Sequence, residues 1–321
     1  MKIQILLTNE ITDQQWQAIV EGFNRSFNTN TSVEWLKIFS ESNYLGYCYH
    51  ALAIDNDKII GYNVMMPFFY KNGLKIINSG SSYVLKEYRK DVFIFSDMLN
   101  ALHERCAKDG FEVATGVPNM NSYEYFIELL NYKYVANLDY YILPITISKI
   151  IKKRYFLIID FIWKRTMWIY LFFLKNLYKN HFEKEVKYEI AKSDLFYNSR
   201  FKQTDYKKLC IVNSKICYRI VNEDAIKAAY LLDFVDENFN RNTSSLLIGI
   251  KDILKKENVD ILIFVGALRI KPSVLLKVPQ RFVPKRLPFT IKYLTKEAKM
   301  KYADMLNMDN WNFSLINFDG R

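Results

Sequence analysis

Residues 111–134, FEVATGVPNMNSYEYFIELLNYKY, constrain the fold more than any other stretch. Phe111 to Gly116 is apolar and β-leaning, and it stops on a glycine. Pro118 and Asn119 make a turn. Asn121 and Ser122 are candidate caps for an amphipathic helix whose apolar positions, Tyr125, Phe126, Leu129 and Leu130, recur at helical spacing. Asn131 closes that helix and Tyr132 opens another strand. A strand that ends in Gly-x-Pro-Asn and hands over to a helix sets backbone amides at a helix N-terminus, beside the strand's carboxyl end. Ligands often bind there. The same pattern also makes an ordinary strand-turn-helix connection, and the stretch alone does not separate the two readings.

The residues ahead of it supply a frame. Met1 to Leu7 reads as a strand. Asn9 to Arg25 reads as a helix capped by Thr12 or Asp13, with Trp16, Ile19, Val20 and Phe23 on its buried face. Ser32 to Phe39 is a short helix. Tyr47 to Ile54 and Lys58 to Pro67 are strands joined by Asp55-Asn56-Asp57, and Lys71-Asn72-Gly73 turns the chain into a further strand, Leu74 to Leu85. Tyr88-Arg89-Lys90-Asp91-Val92 then enters a helix that runs to Lys108. Leu99, Leu102, His103 and Cys106 are its core positions, and His103 reads as a packing residue rather than a base. Arg89 and Lys90 either meet an anion by side chain or form a solvated charge pair.

This order of elements, with Gly116-Val-Pro-Asn-Met-Asn-Ser-Tyr at its centre, resembles the GNAT acyltransferase superfamily. The run is similar to the variant found in GNAT-like proteins of bacterial surface-polysaccharide gene clusters. A glycine-aromatic pair comes after it there, and Asn131-Tyr132 stands in its place here. The resemblance implies an acyl-coenzyme A donor (acetyl-CoA or another acyl-CoA), no metal, and direct attack by a neutral amine. It also implies an oxyanion-holding amide from the strand end at Val84 and Leu85. The superfamily's pyrophosphate loop reads Arg/Gln-x-x-Gly-x-Gly/Ala, so that backbone amides cradle the phosphates. Here the matching residues run from Tyr88 to Ser96. The aromatic-Arg entry is kept and both glycines are gone. Arg89 and Lys90 are left to hold phosphate by side chain, and Asp91 and the β-branched Val92 work against a tight anion nest. Asn119 and Ser122 line the cofactor wall in this reading. Many members protonate the leaving thiolate with a tyrosine, a phenol of ordinary pKa about 10. Phe126 holds that position, so Tyr123 and Tyr125 are the candidate acids, and each equally suits a packing role. Glu87 and Glu124 are candidate bases by location.

Composition enters as a bound. At 321 residues the chain holds two domains of ordinary size, and half of it is hydrophobic, enough for sizeable cores. The 23 Tyr and 23 Phe, beside abundant Asn, Lys and Ile, match AT-rich bacterial coding, so single aromatics are not read as binding residues. The net charge of +11 points to nucleic acid, anionic membrane or phosphorylated ligands. Cys48, Cys106, Cys210 and Cys217 form no CxxC pair, and with three histidines they give no zinc spacing. Reduced thiols in a cytoplasmic protein are the expectation. The N-terminal apolar run is too short for a signal peptide, and no stretch reaches the roughly 18–20 apolar residues needed to cross a bilayer.

Lys149 to Lys187 stands apart. It holds ten Lys/Arg and three Asp/Glu, which is +7 of the total +11. On a helical wheel Lys153, Arg154, Asp160, Lys164, Arg165, Lys175 and Lys179 fall within an arc of roughly 140°. Phe156, Ile159, Trp163, Met167, Tyr170, Phe173, Leu174 and Leu177 lie opposite. This is the pattern of an interfacial helix on an anionic membrane, through residues 149–180, and it is also that of a long helix packed between domains with its basic edge solvated. Nucleic acid ranks lower, because the aromatics form a face instead of alternating with the basic residues.

The second half repeats the first loosely. Asn198-Ser199-Arg200-Phe201 reads as a basic turn. Lys208 to Val212 and Lys215 to Val221 form a hairpin, and Ala225 to Val235 an apolar run. Ser244 to Glu257 is a helix burying Leu246, Leu247, Ile250, Ile253 and Leu254. Val259 to Val265 is a buried strand stopped by Gly266, and Phe289 to Leu294 and Asn310 to Asp319 are late strands. No coenzyme A loop is visible in this half. Arg281, Lys285, Arg286 and Asp319 are candidates for an acceptor's phosphate or sugar, or plain surface charge.

The expected fold is therefore α+β. Two tandem GNAT-like domains, 1–146 and 188–321, each a mixed, mostly antiparallel sheet flanked by helices, are joined by a basic amphipathic helix in 147–187. The expected function is acetyl-CoA-dependent transfer to an amine of a sugar in a surface-glycan precursor. Tandem GNAT-like domains are also the build of the Fem-type aminoacyl transferases, which implies a second reading: transfer from charged tRNA to a lipid-linked precursor. A third is a non-catalytic accessory protein at the membrane surface on a GNAT scaffold. The expected localisation under all three is cytoplasmic or peripheral on the inner face of the plasma membrane.

Overall fold

The computed structural model describes residues 1–152, 157–177, 186–202, 205–211, 214–236, 244–267 and 274–318. Along the chain run β1 (Lys2–Leu7), α1 (Asp13–Phe27), α2 (Val33–Glu41), β2 (Tyr49–Asp55), β3 (Lys58–Phe69), β4 (Lys75–Val84), α3 (Phe93–Lys108), β5 (Val113–Gly116), α4 (Met120–Glu124) with a π turn at Tyr125–Leu129, and β6 (Lys133–Asn137). Next come β7 (Tyr140–Pro144), α5 (Ile147–Ile151), α6 (Leu157–Leu177), β8 (Tyr188–Glu189), α7 (Asp194–Arg200), β9 (Tyr206–Ile211), β10 (Ser214–Glu223), β11 (Ile226–Asp236), α8 (Ser244–Glu257), β12 (Ile261–Ala267), β13 (Leu276–Lys277), β14 (Pro288–Tyr293), α9 (Lys296–Lys301) and β15 (Trp311–Ser314).

Two compact units result. The first is Met1–Asn137, Tyr188–Thr204 and Arg286–Met308; the second is Leu138–Lys187, Asp205–Lys285 and Asp309–Arg321. The chain thus crosses between units several times, where the sequence suggested two consecutive blocks split at 146 and 188. The physical reason is strand exchange. The sheet of the first unit has the order β1-β2-β3-β4-β5-β14-β6, with β14 drawn from far downstream. β7 comes directly after β6 in sequence but joins the second unit's sheet, β13-β7-β12-β11-β10-β9, to which β15 adds against β12. Nothing in local periodicity records such a long-range pairing.

In the first unit Thr12 caps α1. Its hydroxyl accepts the Gln15 amide at 3.2 Å and Gln15 returns its side-chain oxygen to the Thr12 amide at 3.0 Å, a reciprocal box contributing about 1 kcal/mol. Trp16, Ile19, Val20 and Phe23 are all buried, as the spacing predicts. Each contributes roughly 1.5–3 kcal/mol relative to exposure. On the other face α3 buries Met98, Leu99, Leu102 and Cys106 against β2, β3 and β4. β3 and β4 pair antiparallel, and the register slips between Asn63 and Met65, where Asn63 faces Ser82 and Met65 faces Ser79. Gly80 and Ser81 together oppose Val64, so β4 carries one extra residue as a bulge.

The second unit repeats the plan. β9, β10 and β11 are antiparallel, β10 and β11 slip register at Cys217/Tyr218, α8 crosses over, and β12 lies parallel to β11. Leu246, Leu247, Ile250, Ile253 and Leu254 fill its core. The joining helix is part of this unit. α6 buries Met167 and Leu171, with Trp163 and Leu174 against them. Tyr170 packs on the same core, and of the expected apolar face Ile159 and Phe173 are exposed. Lys153, Arg154, Phe156 and Lys179 lie outside the described residues.

Arg200 corrects another expectation. It closes the helix α7 rather than a surface turn, and it is fully buried, with Nη1 donating to the Ser42 carbonyl at 3.3 Å. No disulfide joins the four cysteines. Among the described residues no helix is long and apolar enough to cross a membrane, and no cluster of His, Cys, Asp and Glu could hold a metal ion.

Candidate active site

β4 and β5 part company. Their parallel pairing covers only Ile76–Asn78 against Val113–Thr115, yet β4 runs on to Val84. Past Asn78, among the described residues, it pairs with β3 alone. The Leu85 amide donates to the Ile60 carbonyl at 2.8 Å. Antiparallel ladders alternate, so Ser82 and Val84, opposite Asn63 and Gly61, turn their amides to the other edge, which β5 does not cover. The Val84 carbonyl shows that direction, since it accepts from Arg89 Nε at 2.7 Å.

A cleft of about 520 Å³ opens at this edge, lined among others by Ser82, Val84, Arg89, Asp91, Phe95, Asn119 and Tyr125. Asn119, rather than Asn121 or Ser122, caps α4. Its Oδ1 accepts the amides of Asn121 at 2.9 Å and Ser122 at 3.1 Å. An Asn before a helix satisfies two otherwise orphaned donors in this way. Gly116 sits under this turn because a Cβ there would lie 2.7 Å from Phe126 Cε1. Phe126 is buried against Tyr132 and Phe95 and faces away from solvent. Tyr125 instead stands on the cleft wall, edge-on to Phe95 with centroids 5.8 Å apart.

Five of the candidate catalytic and cofactor-binding residues therefore meet in one cleft: Val84, Arg89, Asn119, Ser122 and Tyr125, with Asp91, Val92 and Asn121 beside them. The others do not. Leu85 is buried with its amide spent on β3. Lys90 is exposed and stands off the lining. Tyr123 packs edge-on to Tyr134 at 6.5 Å. Glu87 is bound at the surface to Arg25 at 3.1 Å and Lys58 at 3.6 Å. Its own backbone amide, with Arg25 and Lys58, holds its carboxyl below the usual range, the wrong direction for a base. Glu124 is exposed and His103 is buried, with Nε2 2.8 Å from Tyr132 Oη. Arg281, Lys285 and Arg286 are exposed, and Asp319 lies outside the described residues.

Three features of the cleft were missed. Ser82 and Phe95 line it, and Asn63, opposite Ser82, is fully buried with neither side-chain amide atom hydrogen-bonded. The available signal was Ser79-Gly80-Ser81-Ser82, since small polar residues inside a strand mark a bulge or a close approach.

An acyl-CoA donor fits this cleft unevenly. Along β4 the fit is good: two strand amides turned away from β3 and an aromatic wall. At the α3 entrance it is poor, because Asp91 Oδ1 accepts the Phe93 amide at 3.0 Å. A carboxylate already occupies the helix N-terminus where a pyrophosphate would seek amides. Arg89 is the cation left on the lining.

No family model matches the sequence, and no curated protein does. Solved structures do match in fold. A GCN5-related N-acetyltransferase from Kribbella flavida aligns with a TM-score of 0.58 and 9% identity, over 92% of this chain and 72% of that one. A probable N-acyltransferase of unknown function from Enterococcus faecalis gives 0.57 and 11%, over 93% and 74%. N-myristoyltransferase from Saccharomyces cerevisiae, with bound myristoyl-CoA, gives 0.56 and 9%, over 91% and 82%. At these identities the likeness concerns architecture. The chain has the GCN5-related N-acetyltransferase fold, laid out as two units with the same strand plan.

Proposed function

We propose that the protein is an N-acyltransferase that takes its acyl group from acyl-CoA, acetyl-CoA by preference, and passes it to an amine of a sugar in a surface-glycan precursor. The observation that carries this reading is the opening between β4 and β5, with the Ser82 and Val84 amides turned into it. When bound, an acyl thioester supplies a carbonyl carbon open to attack by a neutral amine. The Val84 amide would hold the carbonyl oxygen as negative charge develops, and the Tyr125 phenol would deliver a proton to the sulfur as the C–S bond breaks and the C–N bond forms. The amine's own proton leaves to water at the cleft mouth. Phe95 and Phe27 keep water from the thioester, and Arg89 answers a phosphate by side chain. Release of free thiol on mixing the protein with acetyl-CoA and a panel of amino sugars tests this. Thiol release that depends on the amino sugar supports the reading; none with any acceptor contradicts it.

The Asp91 cap favours a second reading, transfer of an aminoacyl group from charged tRNA to a lipid-linked precursor, since no pyrophosphate need bind at α3. Protection of tRNA from nuclease at low salt would support it, and indifference to tRNA would count against it.

A further inference from the structure

α6 is a helix of 21 residues, about 31 Å long at 1.5 Å per residue. Its inner side is anchored. Met167 and Leu171 are buried, Trp163 Nε1 donates to the Pro144 carbonyl at 2.6 Å, and Asp160 accepts the Ser148 amide at 3.0 Å. The outer side carries Ile158, Phe161, Ile162, Ile169, Phe172 and Phe173, each between 55 and 75% exposed. Positions 158, 161, 162, 169, 172 and 173 recur at helical spacing, so these side chains form one continuous stripe. Such a stripe costs solubility unless something covers it.

The charge around the stripe identifies the cover. Asp160 is the only acidic residue between 157 and 177, and it is turned inward at 6% exposure. Arg165 sits within the stripe, its guanidinium 4.4 Å from the Phe161 ring, and Lys164 is exposed at its edge. Lys255 of α8 stands 6.0 Å from the Trp168 ring along the same edge. The outer face is therefore apolar and basic with no carboxylate of its own. A second copy of the chain would bring the same cations together, which disfavours self-association. A surface of lipid tails under anionic headgroups meets both halves of the pattern.

We propose that the outer face of α6 docks the protein in-plane on an anionic phospholipid surface. Apolar side chains enter the headgroup-acyl boundary, while Lys164, Arg165 and Lys255 meet phosphates. The sequence pattern named this segment; the structure replaces the docking face, because Trp163, Met167 and Leu174 are spent on the protein's own core.

The test is co-sedimentation of the full chain with vesicles of dioleoylphosphatidylcholine, alone or mixed in equal parts with dioleoylphosphatidylglycerol. The expected result is binding to the mixed vesicles that weakens as salt rises. Phe161→Ser/Phe172→Ser should reduce it about tenfold or more, with the far-ultraviolet circular dichroism unchanged because both side chains are exposed. Lys164→Glu/Arg165→Glu should remove the preference for the anionic vesicles. Binding to neither vesicle, or equally to both, overturns the proposal. So does a light-scattering mass of two chains that the Phe161→Ser/Phe172→Ser variant returns to one.

Discussion

The two units share a strand plan and differ in what lies between their parallel strands. In the first, β4 outruns β5 and the space beside it is a cleft. In the second, β11 and β12 pair from Ala228 to Leu231 and from Ile261 to Phe264, and beyond that pairing the space is taken by the chain's own C-terminal segment. β15 pairs Ser314 and Phe313 with Gly266 and Ala267, and the turn Leu315–Asn317 packs on β11 and β12. Trp311, Phe313, Leu315 and Ile316 are all buried there. The bulge that splays a strand in each sheet is thus compatible with two outcomes, a binding cleft or a plug. Filling the gap with apolar side chains contributes stability, and leaving it open sacrifices that burial for a site.

The largest test of this contrast is Gly266→Ala. Gly266 has φ +135°, and a Cβ there would lie 2.2 Å from the Phe313 carbonyl oxygen, so the plug would have to move. A loss of about 3 kcal/mol or more is expected in urea unfolding. Retained stability would mean that β15 does not hold the second unit closed. Next is Val84→Pro. It removes an amide that β3 does not use, so the fold should stand while kcat falls about a hundredfold, roughly 2.7 kcal/mol. An unchanged kcat would place the oxyanion elsewhere. Gly116→Ala crowds Phe126 beneath the cleft turn, where a ring can give way, and should cost only about 1–2 kcal/mol.

A pH series separates the units further. Burial holds His50 neutral, its pKa pushed down to about 3, and burial with nearby Lys292 pushes His103 down as well. Both lie in the first unit. Below the ordinary histidine pKa of about 6.5 the unfolded chain takes protons that the folded one refuses, so stability falls by up to about 1.4 kcal/mol per pH unit for each such group. In the second unit burial raises Glu257 and Asp260, but bonds from Lys207 and Tyr218, and from the Lys227 amide and Lys149, outweigh it and leave both below the usual carboxylate range. Their contribution stays intact until the pH falls through the ordinary carboxylate values of about 4. Between about pH 6.5 and 4.5 amide protection should therefore drop in the first unit and hold in the second. An equal drop in both would contradict the assignment. The smallest effect is Asp91→Asn, whose Oδ1 can still accept the Phe93 amide but which takes a negative charge from the α3 N-terminus, and it should tighten acetyl-CoA binding about two- to fivefold by calorimetry.

Much of the first unit was legible because its punctuation is chemical. Thr12 at the start of α1, Asn56-Asp57 at positive φ and Asn131 in the left-handed region each mark a boundary that the residue type dictates, whereas the cap of α4 was placed on Asn121 or Ser122 and is Asn119. The buried faces of α1 and α8 follow from spacing alone. The exchange of β7 and β14 between sheets was not legible, since strand pairing with partners over a hundred residues away leaves no periodic trace. α6 was half legible. The wheel's apolar side found the core through Trp163, Met167, Tyr170 and Leu174, but apolar residues run most of the way round the helix, and the wheel did not show the second, exposed stripe. In the cleft, the roles of Val84, Arg89 and Asn119 came from the resemblance to the GNAT superfamily, laid over the strand-loop-helix pattern. Glu87 did not, because its nearness in sequence hid its ion pairs with Arg25 and Lys58.

The first unit leaves its cleft open and the second fills the corresponding space. Titration calorimetry of acetyl-CoA into the full chain tests this most directly, with Ser82→Trp to block the β4 edge. The account predicts one equivalent bound per chain at micromolar Kd, abolished by Ser82→Trp. Two equivalents, binding that survives Ser82→Trp, or none up to about 1 mM, near 4 kcal/mol, would contradict it.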